Sequence, residues 1–203
     1  MASQVSHIVY AKKYLEKHPL PNGDRDLFIL GCVFPDIRRL AENLTRKGTH
    51  RVFEPVDLNF EGLTPFRAGW KFHVYCDMRR EELLNKYGFY VLTEDNGKFW
   101  QANKMLEDEL LYGIYNNWEK LVHYFNNPPT VKLPAGLSQQ SFELWYTMIA
   151  KYIEAAPTDR SMHIFLSKQS MFKKADEVVE RVNKLRKGNG VVEILRKVVD
   201  EIV

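Results

Sequence analysis

Along nearly the whole chain apolar residues recur at spacings of three and four, while alternation at spacing two is almost absent. Ile8, Ala11 and Leu15 begin the first such stripe, which Pro19-Leu20-Pro21-Asn22-Gly23 breaks. Asp24 or Asp26 caps a short apolar helix through Leu27, Leu30 and Val33 that Pro35 ends. From Arg38 to Leu63 the period disappears, and Gly48, Pro55 and Gly62 predict loop. Thr64-Pro65 is a strong helix start, a capping hydroxyl before a proline at the first helical position, and this helix runs through Trp70, His73, Asp77 and Leu84 to about Gly88. One long helix is expected from about Asn96 to Phe125, carrying Met105, Leu106, Leu110, Ile114, Trp118 and Leu121 inward. Ser138 or Ser141 opens another, ended by Pro157. Two more cover Ser170 to about Lys187 and Val191 to Ile202, with Gly188-Asn189-Gly190 between them. Phe89-Tyr90-Val91-Leu92 is the one short β candidate. The expectation is an all-α fold, a single compact bundle of about seven helices over residues 1–203.

With 203 residues, 45% hydrophobic and 27% charged, the composition is that of a globular chain and excludes a disordered tail, a collagen-like fibre or a disulfide scaffold. A formal net charge of +3 is weak support for a dedicated nucleic-acid binder. The bases between Lys173 and Lys197 interleave with Asp176, Glu177, Glu180, Glu193 and Asp200, the pattern of solvated amphipathic helices. Cys32 and Cys76 sit in apolar helical stretches and read as buried free thiols, which suits a reducing compartment. No signal peptide is visible and no apolar run is long enough to span a bilayer, so the expected location is the cytoplasm. The apolar stripe Val191, Ile194, Leu195, Val198 and Ile202 is a candidate surface for a second copy of the chain.

The candidate chemistry lies in the first third. His73 and Asp77, four apart on the Thr64 helix, project from one otherwise apolar face. An imidazole and a carboxylate so placed suit a borderline divalent cation. Gly69, one turn earlier, gives up helix propensity, as expected where something must approach the backbone closely. His7 in the first helix, Asp36 after Pro35, and His50 in Gly48-Thr49-His50 complete a candidate set of three imidazoles and two carboxylates. Taken singly, each has an ordinary explanation: a surface histidine, an Asp bonding its own turn, an ion pair along a helix. Five donors exceed the four of a closed tetrahedral site, which points to an open site or to two ions sharing a carboxylate. Among nearby bases, Arg51 and Arg79 are the substrate-binding candidates, their planar forks suiting a phosphate. Phe34, Phe53, Trp70 and Tyr75 are candidates for an apolar or base-stacking wall.

The succession His7, Gly31-Cys32-Val33-Phe34-Pro35-Asp36, Thr49-His50 and Gly69-Trp70-Lys71-Phe72-His73-Val74-Tyr75-Cys76-Asp77 resembles the zinc-dependent phospholipase C superfamily, which also contains single-strand-specific nucleases. The resemblance covers about the first eighty residues and rests on four pieces in the same order. It implies an all-helical fold and a zinc held by Asp36, His50, His73 and Asp77, with Asp77 bridging to a second ion also held by His7. In the family the N-terminal amine completes that second site; here six residues precede His7. It also implies a phosphoester hydrolase in which water made acidic by the cation attacks phosphorus while Asp36 orients it or takes its proton. The substrate left open is a phosphodiester or phosphomonoester, as lipid head group, nucleotide or other small ester. The family's downstream third-ion set is not found, because His123 is followed four residues on by Asn127 and His163 by Ser167, and nothing in the spacing of Glu107, Asp108 and Glu109 marks them as substitutes. Two rival readings are a metal phosphohydrolase of the class marked by an adjacent His-Asp pair, a dipeptide this chain lacks, and a non-catalytic helical domain with a structural ion.

Overall fold

The computed structural model describes residues 3–40, 44–94, 100–169 and 174–203. Every regular element among them is helical, and no strand occurs. The α-helices are α1 (Gln4–Lys17), α2 (Asn22–Val33), α3 (Arg46–His50), α4 (Pro65–Lys86), α5 (Phe89–Leu92), α6 (Trp100–Leu111), α7 (Trp118–Asn126), α8 (Gln139–Ile153), α9 (Asp159–Ser167), α10 (Ala175–Arg186) and α11 (Val191–Glu201). Short 3-10 turns over Phe34–Arg39 and Tyr112–Ile114 follow α2 and α6.

Eleven described α-helices replace the expected seven, and each difference has a local cause. The long helix expected through Phe125 is interrupted by the 3-10 turn at Tyr112–Ile114 and by non-helical residues 115–117. Its expected start, residues 96–99, lies outside the described residues, as does the Ser170 start of the following segment. Phe89–Leu92 is one helical turn and not a strand. Gly88 adopts φ +65°, reverses the chain after α4 and starts the new turn at once. The expected loop from Arg38 to Leu63 contains α3, whose Thr45 side chain accepts from the Gly48 N–H at 3.2 Å. After Pro157, Thr158 and Ser161 form a reciprocal capping box that opens α9. Thr64 and Ser138 cap α4 and α8 as expected.

Buried apolar side chains from Val5 to Ile202 form one cluster. Its most extensive contact is α2 against α4, and glycine makes it possible. A Cβ on Gly31 would lie 2.0 Å from the Phe66 carbonyl oxygen, and one on Gly69 only 1.9 Å from that of Phe28. What approaches the backbone at Gly69 is thus α2 itself. From α8, Trp145 and Tyr146 donate to the carbonyls of Val33 (3.0 Å) and Leu30 (2.7 Å), satisfying the last turn of α2 just before Pro35. The stripe on α11 is covered within the chain: Val191, Leu195, Val198 and Ile202 are buried, with α11 packed on α4 and α5. It is therefore not a free docking surface. Both cysteines are free and buried, and no described helix is long and apolar enough to cross a membrane.

Candidate metal centre

Five polar side chains from four helical segments meet where α1, the turn after α2, α3 and α4 converge. His7 and His73 are fully buried, Asp36 is 1% exposed, and His50 and Asp77 are each 6% exposed. Two overlapping trios, His7 with His73 and Asp77, and Asp36 with His50 and His73, have all their donor atoms within 4.8 Å of one another. Asp77 Oδ2 is 3.6 Å from Nε2 of both His50 and His73, while its Oδ1 faces His7 Nε2 at 3.4 Å. Asp36 Oδ1 stands 4.0 Å from His50 Nε2. The rings of His7 and His73 stack at 3.8 Å between centroids. All five residues singled out in the sequence are thus brought together.

Outer partners aim these donors. His73 Nδ1 donates to the Cys32 carbonyl oxygen at 2.7 Å, a contact that exists because Gly31 and Gly69 let α2 and α4 close on one another. Its lone pair is therefore on Nε2. The Thr49 hydroxyl lies 2.8 Å from His50 Nδ1 and fixes the ring with Nε2 facing inward, and it is 3.4 Å from the Thr45 carbonyl oxygen. Trp70 Nε1 donates to the Thr49 carbonyl oxygen at 2.6 Å and so holds α3 from behind. Asp36 Oδ2 forms an ion pair with Arg39 (2.7 Å) and accepts from Gln4 (3.0 Å), and its Oδ1 has no hydrogen-bond partner among the described residues. The 3-10 turn forced by Pro35, which has no N–H for an α-ladder, directs this carboxylate inward.

These contacts bring two imidazole nitrogens to within 3.3 Å of each other, His50 Nε2 and His73 Nε2. Burial pushes the His50 imidazole down to about 4 and holds that of His73 well below the usual histidine range, so near neutral pH both rings are neutral. Asp77 and Asp36 oppose that shift without cancelling it. Burial alone would raise both carboxyls, but the positive charge around them holds both below the usual carboxylate range. Arg39 contributes most at Asp36. Neutral imidazoles and ionised carboxylates are the donor states a cation requires. On a tetrahedral cation with bonds of about 2.0–2.1 Å, neighbouring donors lie about 3.4 Å apart. The 3.3 Å between the imidazoles and the 3.6 Å to Asp77 match that spacing closely. The mixed nitrogen and oxygen set suits zinc. The two trios share His73, which has one available lone pair; Asp77 turns one oxygen to His7 and the other to His50 and His73 and is the group able to bridge two ions.

A cavity of about 640 Å³ opens over this cluster, and His50 and Asp77 form part of its wall. Arg51 lines it. Arg79 does not; it pairs with Glu82 at 3.1 Å on the outer side of α4. The next residue, Arg80, faces in, three positions after Asp77 on the same helical stripe, which was a readable signal. Its guanidinium bonds Glu107 (2.6 Å) and the Asn103 side-chain Oδ1 (3.2 Å), and Asn103 and Lys104 line the cavity beside it. Periodicity did not mark these α6 groups, because it assigned the inward face to Met105 and Leu106. Burial drives the Lys104 amine well below the usual lysine range, against the pull of Asp36 and Asp77.

The acidic residues weighed as substitutes are all engaged. Glu107 also accepts from the Tyr10 hydroxyl, Asp108 accepts from the Ser6 N–H and hydroxyl (both 2.8 Å), and Glu109 pairs with Arg186 at 2.7 Å. Asp108 thereby satisfies an N–H in the first turn of α1, one residue before His7. His123 is exposed, and His163 pairs with Asp176 at 3.1 Å. Phe34, Phe53 and Trp70 form a buried aromatic group behind α3, and with Tyr75 they are not part of the cavity wall. Met1 and Ala2, where an N-terminal amine would enter, lie outside the described residues. No family model matches the chain, and no curated protein or solved structure matches it.

Proposed function

We propose that the chain is a metal-dependent phosphoester hydrolase with zinc, as one or two ions, the native cation. The observation that carries this reading is the pair of neutral imidazole nitrogens 3.3 Å apart, with two ionised carboxylates around them and a cavity above. The order of motifs from His7 to Asp77, which resembles the zinc-dependent phospholipase C superfamily, supports the same ligand set.

His50 and His73 provide the nitrogens, Asp77 the bridging carboxylate, and Asp36 and His7 the flanking donors. A divalent ion bound by them supplies Lewis acidity and makes water acidic enough to yield a nucleophile near neutral pH. Asp36 Oδ1 orients the attacking water, held in place by Arg39 and Gln4 on the other oxygen. The opening onto the cavity favours catalysis over a structural ion, since a structural site is closed on all sides.

The test is hydrolysis of a chromogenic phosphomonoester and a chromogenic phosphodiester by purified protein, after chelation and after return of zinc. Turnover that disappears with chelation, returns with zinc and is lost in Asp36→Asn supports the reading. Full metal occupancy without turnover of either ester would favour the structural ion.

A further inference from the structure

We infer that a second cavity, between α8 and α9, binds an apolar monocarboxylate, with its chain along Leu144, Met148, Ile164 and Phe165 and its carboxylate on Lys168. This cavity shares no lining residue with the one over the metal cluster, and the inference does not rest on the hydrolase reading. The two helices supply matching stripes. Leu144, Met148 and Lys151 recur at spacings of four and three on α8, and Ser161, Ile164, Phe165 and Lys168 recur likewise on α9 and at its C-cap. Together they surround about 480 Å³, within the range of sites that take up a small molecule. Leu144 is 49% exposed and Ile164 46%, so each helix leaves a large apolar side chain in water on the same hollow. Single exposed apolar residues are ordinary, whereas a shared concave patch marks a contact site. The inner wall is built before any ligand arrives. The Tyr152 ring stacks on Phe165 at 4.1 Å between centroids, and its hydroxyl donates to Asp108 at 3.1 Å.

Charge selects the occupant. Among the described residues the wall holds no acid and two amines, Lys151 and Lys168. Lys151 is paired with Glu154, and the Ser161 hydroxyl is taken by the Thr158 carbonyl oxygen at 3.1 Å. The Lys168 amine is exposed and has neither an ion pair nor a hydrogen bond among the described residues. An apolar cation would be repelled there, and a neutral hydrocarbon would leave the amine unmatched. A ligand with an apolar body and one anionic end answers both features, and a carboxylate carries that single charge at neutral pH. The hollow form favours a small molecule over a second copy of the chain, since a stable protein contact needs about 800 Å² from each partner.

The experiment is calorimetric titration of the full chain, stripped of metal by a chelator and dialysed, with octanoate and with octanol as its uncharged counterpart. The parent is expected to bind octanoate more tightly than octanol. Lys168→Gln is expected to weaken octanoate about two- to fivefold, the size of an ion pair at an exposed lysine, and to leave octanol unchanged. Ile164→Gln is expected to weaken both probes about tenfold, the effect of removing a large apolar contact. Both side chains are exposed, so neither substitution disturbs the core. Equal affinity for acid and alcohol overturns the carboxylate assignment. Octanoate binding that neither substitution alters, or no binding to the parent, overturns the site. A dimeric parent that Ile164→Gln turns into a monomer assigns the face to a second copy of the chain and contradicts the inference. With the metal removed, none of these outcomes depends on the hydrolase reading.

Discussion

Replacing Gly69 by alanine sets helix propensity against packing. In an exposed helix interior the change adds about 1 kcal/mol of stability. Here the new methyl group would lie 1.9 Å from the Phe28 carbonyl oxygen and 2.8 Å from its carbon, both backbone atoms that no side-chain rotation can move aside. Reaching ordinary contact requires α2 and α4 to separate by about 1.5 Å. The hydrogen bond from His73 Nδ1 to Cys32, now 2.7 Å, would then be broken. Overpacking costs roughly 1–3 kcal/mol and a lost buried hydrogen bond about as much again, so the net expectation is destabilisation by about 3 kcal/mol. In urea this moves the unfolding midpoint down by about 1 M. Gly23→Ala, in the first turn of α2 with nothing within 4 Å, is the control and should hold or raise the midpoint. A Gly69→Ala protein as stable as its parent would refute the claim that this crossing sets the distance between Cys32 and His73.

Further outcomes follow from the polar interior. Glu107→Leu strands the Arg80 guanidinium and should cost about 3–5 kcal/mol by chemical denaturation, while the double variant Arg80→Met, Glu107→Leu should recover most of that loss; equal losses in both would contradict the pairing. Asp108 is buried, and desolvation raises its carboxyl from 3.8 to about 6 against the hydrogen bonds from Ser6. A raised carboxyl binds its proton more tightly in the fold than in the unfolded chain. Its contribution is therefore full below pH 3.8 and is lost as pH rises through about 6. The stability difference between parent and Asp108→Asn should swing by about 3 kcal/mol across that window, and a flat difference would remove the assignment. Thr49→Val frees the His50 ring to turn and should weaken zinc binding about 10–100-fold in competition with a chromophoric chelator; unchanged affinity would mean that this contact does not aim the ligand.

Much of this architecture is legible in the sequence, and the parts that are not share physical causes. Thr64-Pro65 and Ser138 mark helix starts because capping is local chemistry, decided within four residues. The stripe of His7, Asp36, His50, His73 and Asp77 is legible because ionisable groups on apolar faces conflict with their surroundings unless they meet one another. Local signals also existed for α9, at Thr158 and Ser161, and for the break after α6, at Gly113 and Asn116-Asn117. The single turns α3 and α5 are too short to show a period. The buried set of Asn103, Lys104, Glu107 and Asp108 depends on partners far away in sequence, Arg80, Tyr10 and Ser6. No reading of α6 by itself distinguishes these residues from a solvated face. The C-terminal stripe had the same ambiguity: a strongly one-sided helix needs a partner, and its pattern does not say whether that partner is α4 of its own chain or a second molecule.

The most direct test of the account is anomalous diffraction at the zinc edge from crystals of zinc-loaded protein. A peak is expected bonded to Nε2 of both His50 and His73 and to Asp77, with any second peak on the His7 side of that carboxylate. A cluster without anomalous density in crystals that bind zinc elsewhere, such as at the exposed His163 and Asp176 pair, would contradict it.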